Sequence, residues 1–210
     1  MNKTVANALR STAVLTAIAV VCVGLLAVCN MFFPKYKPNL DAATAALVNT
    51  VCPTGQSDAD AYEKGFITML ADADYGASLE DYNKTNKDKK ASILAVYGEP
   101  KGLNAGAYVV ECSADGRDGE IVILIAYRDG GAIGAAVKKQ GESFWGKVPE
   151  NLFEVIGSGK VDLVEEFGST GATVTLSAIE RAVKLSAEFA LEYNTAIRKA
   201  ISKLSTEAGL

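Results

Sequence analysis

The side chains best suited to hold a ligand lie in the segment GSTGATVTLSAI at residues 168–179. Hydroxyl residues surround two small residues there, with Thr170, Thr173, Thr175 and Ser177 around Gly171 and Ala172. A helix-like apolar run follows, and a helix N-terminus offers backbone N–H groups and a positive dipole end that favour phosphate. Glycine lets the backbone approach a bulky group closely. The segment therefore indicates a docking place for a phosphate-bearing cofactor.

A plain helix cap is the alternative interpretation of the same residues. Ser, Thr and Gly are ordinary residues before a helix, and Ser177 followed by Glu180 fits the capping-box pattern. The segment supplies neither a general base nor a metal site, so a phosphotransferase acting unaided is not expected.

Composition excludes several other chemistries. The 210-residue chain has no histidine, which removes Ser-His-Asp and Cys-His catalysis and histidine-ligated zinc. Its net charge of -4 gives no basic field for nucleic acid, and its 49% hydrophobic share is normal for a packed core.

The four cysteines show no metal spacing. Cys52 and Cys112 could pair in an oxidising compartment, but two separate buried thiols are the favoured interpretation.

An uncharged apolar run at residues 11–34 predicts a retained membrane anchor. STAVLTAIAVVCVGLLAVCNMFFP can form a helix spanning roughly 30 Å, and it exceeds the apolar part of a signal peptide. A lipoprotein signal ending at Cys29 is the competing interpretation, but Val28 is too large for the position before such a cysteine. Basic residues flank both ends, so residues 1–10 in the cytoplasm and the main domain outside are only mildly preferred.

Residues 35–90 are interpreted as a lead-in of helices and loops. Its first part, NLDAATAALVNTVC, predicts a short helix capped by Asn39 or Asp41. A further helix is expected around residues 66–70, and the lysine-rich run at 83–90 is expected to be a solvated loop.

Strand patterns then cluster along the chain. Four runs carry them: SILAVYG (92–98), GAYVVEC (106–112), EIVILIAY (120–127) and AIGAAVKK (132–139). Short links, including Arg-Asp-Gly-Gly as a tight-turn signal, favour an antiparallel sheet. Residues 149–156 predict a short helix, and a helical period from about Thr173 predicts a long C-terminal one. The expected fold class is α+β: one N-terminal transmembrane helix, then a small antiparallel sheet packed by helices over residues 91–210.

Three patterns in a fixed order carry a family resemblance. Thr170-Gly171-Ala172-Thr173 fits a Ser/Thr-Gly-Ala-Thr motif, with Glu166 as an acid one position further ahead of it than in the family. DGEIVILIAYRDGGAIGAAV at 118–137 fits a strand pair, and Glu142-Ser143-Phe144-Trp145-Gly146-Lys147 stands where the family has Glu-Thr-Pro-Gly-Leu-Gly. Together with the N-terminal span, these features resemble the covalent-flavin subunits of membrane redox pumps, in particular the single-span flavin subunit of the Rnf-type electron transport complex.

The resemblance implies a function and a cofactor. In that family the second threonine of the motif, Thr173 here, carries FMN through a phosphoester bond in an FMN-binding domain. The chain would then be an electron-carrying subunit, not an enzyme acting alone, of a complex that exchanges electrons between reduced ferredoxin and NAD and moves sodium ions or protons. Implied partners are integral membrane, iron–sulfur and flavin subunits and a flavin transferase. The implied location is the cell (inner) membrane, single-pass, with the main domain extracytoplasmic.

The remaining cofactor-binding residues are expected around the attachment site and in the segment after the last strand. The small and hydroxyl residues expected to hold the phosphate are Thr170, Gly171, Ala172, Thr175 and Ser177. Glu142 is expected to point at the flavin ring or at a neighbouring backbone N–H, with a solvated acid as the alternative. Ser143 is expected beside it, and Trp145 either stacks on the ring or belongs to the core.

Other functions remain open on the sequence. The related covalent-flavin subunit of the sodium-pumping NADH:quinone reductase has the same motif but is usually longer than this chain. A membrane-anchored binding or scaffold protein without flavin would use the hydroxyl segment only as a cap, and a stand-alone extracytoplasmic flavoprotein is a further possibility.

Overall fold

The structure is a computed structural model that describes Val14, Thr16, residues 39–168 and residues 171–207. The predicted anchor at 11–34 therefore lies outside the described residues, apart from Val14 and Thr16, which are both helical. Within the described part of the chain, no helix is both long and apolar enough to cross a membrane.

The chain divides into two units, Met1–Lys37 and Pro38–Leu210. The second unit contains nearly all of the described residues. Residues 39–90, interpreted from the sequence as a lead-in, contribute helices and one sheet strand to this same unit.

A five-stranded antiparallel sheet forms the centre of the second unit. Its strands are β1 (Thr68–Leu70), β2 (Ala91–Gly98), β3 (Tyr108–Asp115), β4 (Glu120–Arg128) and β5 (Gly131–Lys139), and neighbours in sequence are neighbours in the sheet. All four pairings are antiparallel. The predicted α+β class with an antiparallel sheet is therefore confirmed, and the four predicted strands correspond to β2–β5.

Helices cover both faces of this sheet. In chain order they are α1 (Ala42–Val51), α2 (Asp58–Glu63), α3 (Asp72–Tyr75), α4 (Leu79–Thr85), α5 (Leu152–Gly157), α6 (Leu163–Phe167) and α7 (Thr173–Glu207), with 3-10 turns at Lys87–Lys89 and Trp145–Lys147. The long helix α7 packs on β2, β3 and β4, while α1 packs on β4 and β5. Because both faces are covered, β4 is buried along its length, which explains its unbroken apolar sequence.

Two residues with positive φ form the turn between β4 and β5. Arg128 pairs with Gly131, which leaves Asp129 and Gly130 as a two-residue loop. Both have positive φ, 53° and 82° respectively, as a type I′ turn requires. The predicted hairpin is therefore confirmed, and it fixes the register of the last two strands.

The helical period after residue 173 also matches the structure. Five large apolar side chains of α7 are fully buried in the core: Leu176, Ile179, Leu185, Phe189 and Ile197. Burial of each such side chain stabilises the fold by about 1.5–3 kcal/mol. Phe189 also lies edge-to-face with Tyr75 and Tyr82, which attaches α3 and α4 to the long helix.

The prediction of a helix around residues 66–70 is wrong. Gly65, at φ 68°, follows the end of α2, and Met69 lies in β1, paired with Tyr97 of β2. The side chain of Asn39 hydrogen-bonds both the N–H and the C=O of Met69 on the open edge of that strand. Four apolar residues are too few to reveal a period, and the sheet edge decides their conformation.

Two smaller sequence expectations are resolved as well. The cap of α1 is Asp41, whose carboxylate accepts from the N–H of Thr44. The lysine-rich run at 83–90 is not a plain loop, because α4 extends to Thr85 and a 3-10 turn follows at Lys87–Lys89.

Cys52 and Cys112 are two separate buried thiols, as favoured from the sequence. They lie in different parts of the core, Cys112 beneath α7 and Cys52 on the side of α1. The Cys52 thiol donates to Oε2 of Glu99 at 3.1 Å, and the N–H of Asn104 donates to Oε1 at 2.9 Å. Glu99 is only 3% exposed, and burial raises its pKa to about 7.

The raised pKa of Glu99 predicts a loss of stability with rising pH. The folded protein keeps this proton up to about pH 7, whereas an unfolded glutamate loses it near 4.5. The contribution is therefore fully present below pH 4.5 and is lost as pH rises through 7, by about 3 kcal/mol in total. Glu99→Gln cannot titrate, so its unfolding free energy should change less between pH 5 and 8 in denaturant titrations.

Glu63→Gln is the matched control, because Glu63 is exposed at the end of α2. It should keep the pH dependence of the parent chain. Parallel stability profiles for the parent and Glu99→Gln would contradict the assignment.

Candidate functional site

The hydroxyl segment leads into the first turn of α7. The helix begins at Thr173, and the C=O of Ala172 accepts the first helical hydrogen bond, from the N–H of Leu176 at 2.8 Å. Ala172 therefore holds the N-cap position and has no side-chain oxygen to cap with. Thr170 lies outside the described residues, so its predicted role remains a prediction.

The capping box predicted from Ser177 and Glu180 is wrong. Ser177 lies one turn inside α7, because the helix begins at Thr173 and not at Ala178, as a cap at Ser177 would need. The carboxylate of Glu180 instead accepts from the N–H of Val164 at 2.6 Å and from Lys184 at 2.8 Å. The hydroxyls of Thr173, Thr175 and Ser177 thus belong to helical residues and not to caps.

A cleft of about 210 Å³ opens at the first turn of α7. Its walls combine that turn with one cation and one aromatic ring from elsewhere in the chain: Gly171, Ala172, Thr173, Val174 and Thr175, with Arg117 and Phe144. Three of the residues predicted around the attachment site therefore line one cleft with Thr173, namely Gly171, Ala172 and Thr175. Ser177, Ser143 and Trp145 are not among its lining residues.

Two cations flank the ring of Phe144 at this cleft. The guanidinium of Arg117 lies 4.9 Å from the ring centroid and the ammonium of Lys147 lies 5.1 Å from it. A Cβ on Gly171 would lie 2.5 Å from Cδ of Lys147, so the lysine stem crosses close to this glycine and would have to move for a larger residue. Neither cation forms an ion pair with an acid among the described residues. Their charges therefore remain available to an anion in the cleft.

Glu142 joins three segments behind the cleft. Its Oε2 accepts from the hydroxyl of Thr175 at 2.5 Å, and its Oε1 accepts from the N–H of Asp118 at 2.9 Å. The residue is 6% exposed, so it is not the solvated acid of the alternative interpretation. A Cβ on Gly116 would lie 2.3 Å from Oε1, which shows how closely the turn after β3 wraps this carboxylate.

The hydrogen bonds of Glu142 keep it ionised. Burial pushes its pKa up, but the hydrogen bonds from Thr175 and from the backbone of Asp118 and Arg117 outweigh burial and hold the pKa below its ordinary value. The proton of the Thr175 hydroxyl is consequently committed to Glu142. Thr175 fixes the helix mouth to the loop after β5 and does not offer that proton to a phosphate.

The other residues after β5 have different surroundings from those predicted. Ser143 is exposed, and its N–H donates to Oδ2 of Asp118 at 2.9 Å. Trp145 is half-buried against the core, with its ring 6.5 Å from that of Phe153. The neighbouring Phe144, and not Trp145, lines the cleft.

Glu166, the acid ahead of the motif, lies on α6. Its carboxylate accepts from Lys160 at 3.0 Å, in an exposed ion pair. The next residue, Phe167, packs partly against the core under α7. The acid ahead of the motif is therefore paired with a lysine.

Arg117, Phe144 and Lys147 are the site residues that sequence reasoning missed. Arg117 belongs to the turn between β3 and β4, and the other two belong to the segment after β5. The local sequence does not predict that Arg117 meets the other two residues, because only the antiparallel order of β3, β4 and β5 brings both segments to the same end of the sheet.

Comparison of this chain with protein-family models, with curated protein sequences and with solved structures finds no match.

The Glu142–Thr175 hydrogen bond predicts a stability effect at the helix mouth. Thr175→Val keeps the shape of the side chain but leaves a buried carboxylate without one of its donors. We expect the free energy of unfolding to fall by about 1–3 kcal/mol. Urea denaturation of the full chain in detergent measures this change.

Thr195→Val is the control, since Thr195 is an exposed position of the same helix. It should change stability by no more than about 0.5 kcal/mol. In a Glu142→Gln background the effect of Thr175→Val should shrink, because the charged acceptor is gone. Additive effects of the two substitutions would show that the hydrogen bond carries little energy.

Proposed function

We propose that this chain is a membrane-anchored flavoprotein subunit of an Rnf-type, ion-translocating ferredoxin:NAD oxidoreductase complex. It relays electrons through an FMN attached to Thr173 by a phosphoester bond. The observation that carries the proposal is the position of Thr173, in the first turn of a long helix, in a cleft beside two cations that pair with no described acid. The resemblance described above supports it from the sequence.

The electrostatics of the cleft suit a phosphate. A phosphate linked to both a flavin and a threonine keeps one negative charge, which the first turn of α7 and the cations of Arg117 and Lys147 would stabilise. The chain as a whole is acidic, so these two cations are a local feature of the site. Gly171 and Ala172 keep the backbone close to that position without adding bulk.

The cleft is large enough to anchor one part of a cofactor but too small to enclose the whole molecule. Its volume of about 210 Å³ is below the roughly 300–1,000 Å³ of sites that enclose a small molecule. The cleft would hold the phosphate and the adjoining chain, and Phe144 would contact the flavin ring. Val174, 56% exposed, adds apolar surface there. A ring in this position is open to a second redox group, as a relay requires.

The flavin supplies the redox chemistry when it is bound, and the protein binds and orients it. Thr173 would hold the phosphate, Arg117 and Lys147 would balance its charge, and the Phe144 ring would contact the flavin. Glu142 would act indirectly, because its hydrogen bonds fix the first turn of α7 to the loops that carry these residues.

The proposal includes the membrane anchor predicted at 11–34, with the main domain outside the cytoplasm. The uncharged span and the family resemblance support this part. The proposed partners are the integral membrane and iron–sulfur or flavin subunits of the complex, and a flavin transferase that attaches FMN.

Thr173→Val tests the attachment site. Valine keeps the shape of threonine but has no hydroxyl to form the ester, so the chain should fold and carry no covalent flavin. The measurement is yellow fluorescence that survives a denaturing gel, after expression together with the flavin transferase. A mass spectrum of the 168–181 region should show the FMN adduct only in the parent chain.

Thr170→Val and Thr175→Val are the controls, and each should retain part of the covalent flavin because neither forms the ester. FMN that survives denaturation in Thr173→Val would contradict the assignment. A parent chain without flavin would leave a membrane-anchored scaffold as the better description.

Lys147→Gln tests the electrostatic part of the site. Without its charge the phosphate loses one charge-assisted contact, so attachment of FMN should slow by about tenfold or more. Arg117→Gln should act in the same direction. The rate is measured from in-gel fluorescence at early times.

Lys64→Gln, an exposed lysine at the end of α2, is the matched control and should leave the rate unchanged. Equal rates for Lys64→Gln and Lys147→Gln would show that the cations beside Phe144 do not contact the phosphate.

A further inference from the structure

A second, larger cleft lies where β2 begins and β3 ends. Its volume of about 640 Å³ is within the range of sites that hold small molecules. The 3-10 turn at Lys87–Lys89 and one side of α7 complete its walls. None of its lining residues lines the cleft at Thr173.

Three cations face this second cleft: Lys87, Lys90 and Arg181. None of them forms an ion pair with an acid in the described part of the chain. Two acids also line it, but Glu120 is paired with Lys139 at 3.2 Å. Only Asp115 is left among the lining residues to oppose three positive charges. The cleft is thus a cationic region on an acidic protein, which favours an anionic ligand.

The guanidinium of Arg181 is incompletely satisfied. Its Nη2 donates to the backbone C=O of Asp115 at 2.8 Å, while its buried Nε–H has no partner among the described residues. An unpaired buried donor on a charged group is costly and needs an explanation. An oxyanion that drew the guanidinium into the cleft would accept from it and remove that cost.

Lys90 has an unusual backbone conformation at the rim of the cleft. Its φ is 51°, in the left-handed region where glycine or asparagine is the usual choice. A lysine at such a position adds strain, and strained residues concentrate at binding sites. The conformation follows a 3-10 turn closed by the Lys90 N–H to the Lys87 C=O, so both lysines are held on one short segment.

Two serines add hydroxyl groups to the wall. Ser92 of β2 and Ser113 of β3 are direct partners across the strands, and Ser113 is 5% exposed. Partners across an antiparallel pair project on the same face, which here is the face opposite to Ala91 and Ala114 of the core beneath α7. The match to the acceptor oxygens of a phosphate group is therefore carried by the three cations.

We propose that this cleft binds a phosphate group, carried either by a small soluble phosphomonoester or by a lipid headgroup. Arg181, Lys87 and Lys90 supply its counter-charges. The site is separate from the one at Thr173 and does not depend on the function proposed above.

Calorimetric titration of the full chain in detergent with glycerol 3-phosphate, and with short-chain phosphatidic acid, tests this proposal. We expect saturable binding of at least one probe. Lys90→Asn, which tolerates the left-handed backbone, and Arg181→Gln should each weaken it by about tenfold. Lys199→Gln, on an exposed part of α7, should leave it unchanged.

The two probes distinguish the source of the phosphate. If phosphatidic acid binds more tightly than glycerol 3-phosphate, the ligand is a lipid headgroup. If the two probes bind with equal affinity, the ligand is a soluble phosphomonoester. The proposal is overturned if neither probe binds. It is also overturned if Lys90→Asn leaves binding intact while Lys147→Gln removes it, because the probe would then occupy the cleft at Thr173.

Discussion

The buried carboxylate of Glu142 is the interaction on which the geometry of the Thr173 site depends. It accepts from the hydroxyl of Thr175 in α7 and from the N–H of Asp118 in the turn between β3 and β4. A buried charge is tolerated only with such partners, so the three segments cannot separate cheaply. The same contacts bring Arg117, adjacent to Asp118, and Phe144, two residues after Glu142, to the mouth of α7.

The charge of Glu142 also sets an electrostatic requirement on the site. A carboxylate behind the first turn of α7 offsets part of the positive potential that a helix N-terminus offers to an anion. The cations of Arg117 and Lys147, which lie 4.9 and 5.1 Å from the centroid of the Phe144 ring, restore positive potential beside the cleft. Because Thr175 is committed to Glu142, the helix mouth is rigid, and a group attached at Thr173 inherits a fixed position.

The sequence predicts the elements well where a pattern is long. β4 is a β-branched run, its turn into β5 contains Asp-Gly, and α7 shows its period over many turns, so these elements are identifiable without a structure. The predictions at residues 66–70 and at the Ser177 capping box fail because four or five residues do not distinguish competing conformations. The short distance from Arg117 and Lys147 to Thr173 could not be predicted from the sequence. It arises because the turn between β3 and β4 and the segment after β5 lie at the same end of the sheet.

The placement of Thr173 follows from the packing of α7. Leu176 and Ile179 are fully buried against the sheet, so the helix cannot rotate or slide without exposing them. Thr173 precedes Leu176 by less than one turn, which holds its side chain at the rim of the core. Val174, the next residue, is 56% exposed. The packed face of α7 thereby fixes the position of Thr173, while the exposed side of the same turn stays accessible, and the proposed relay would need both properties.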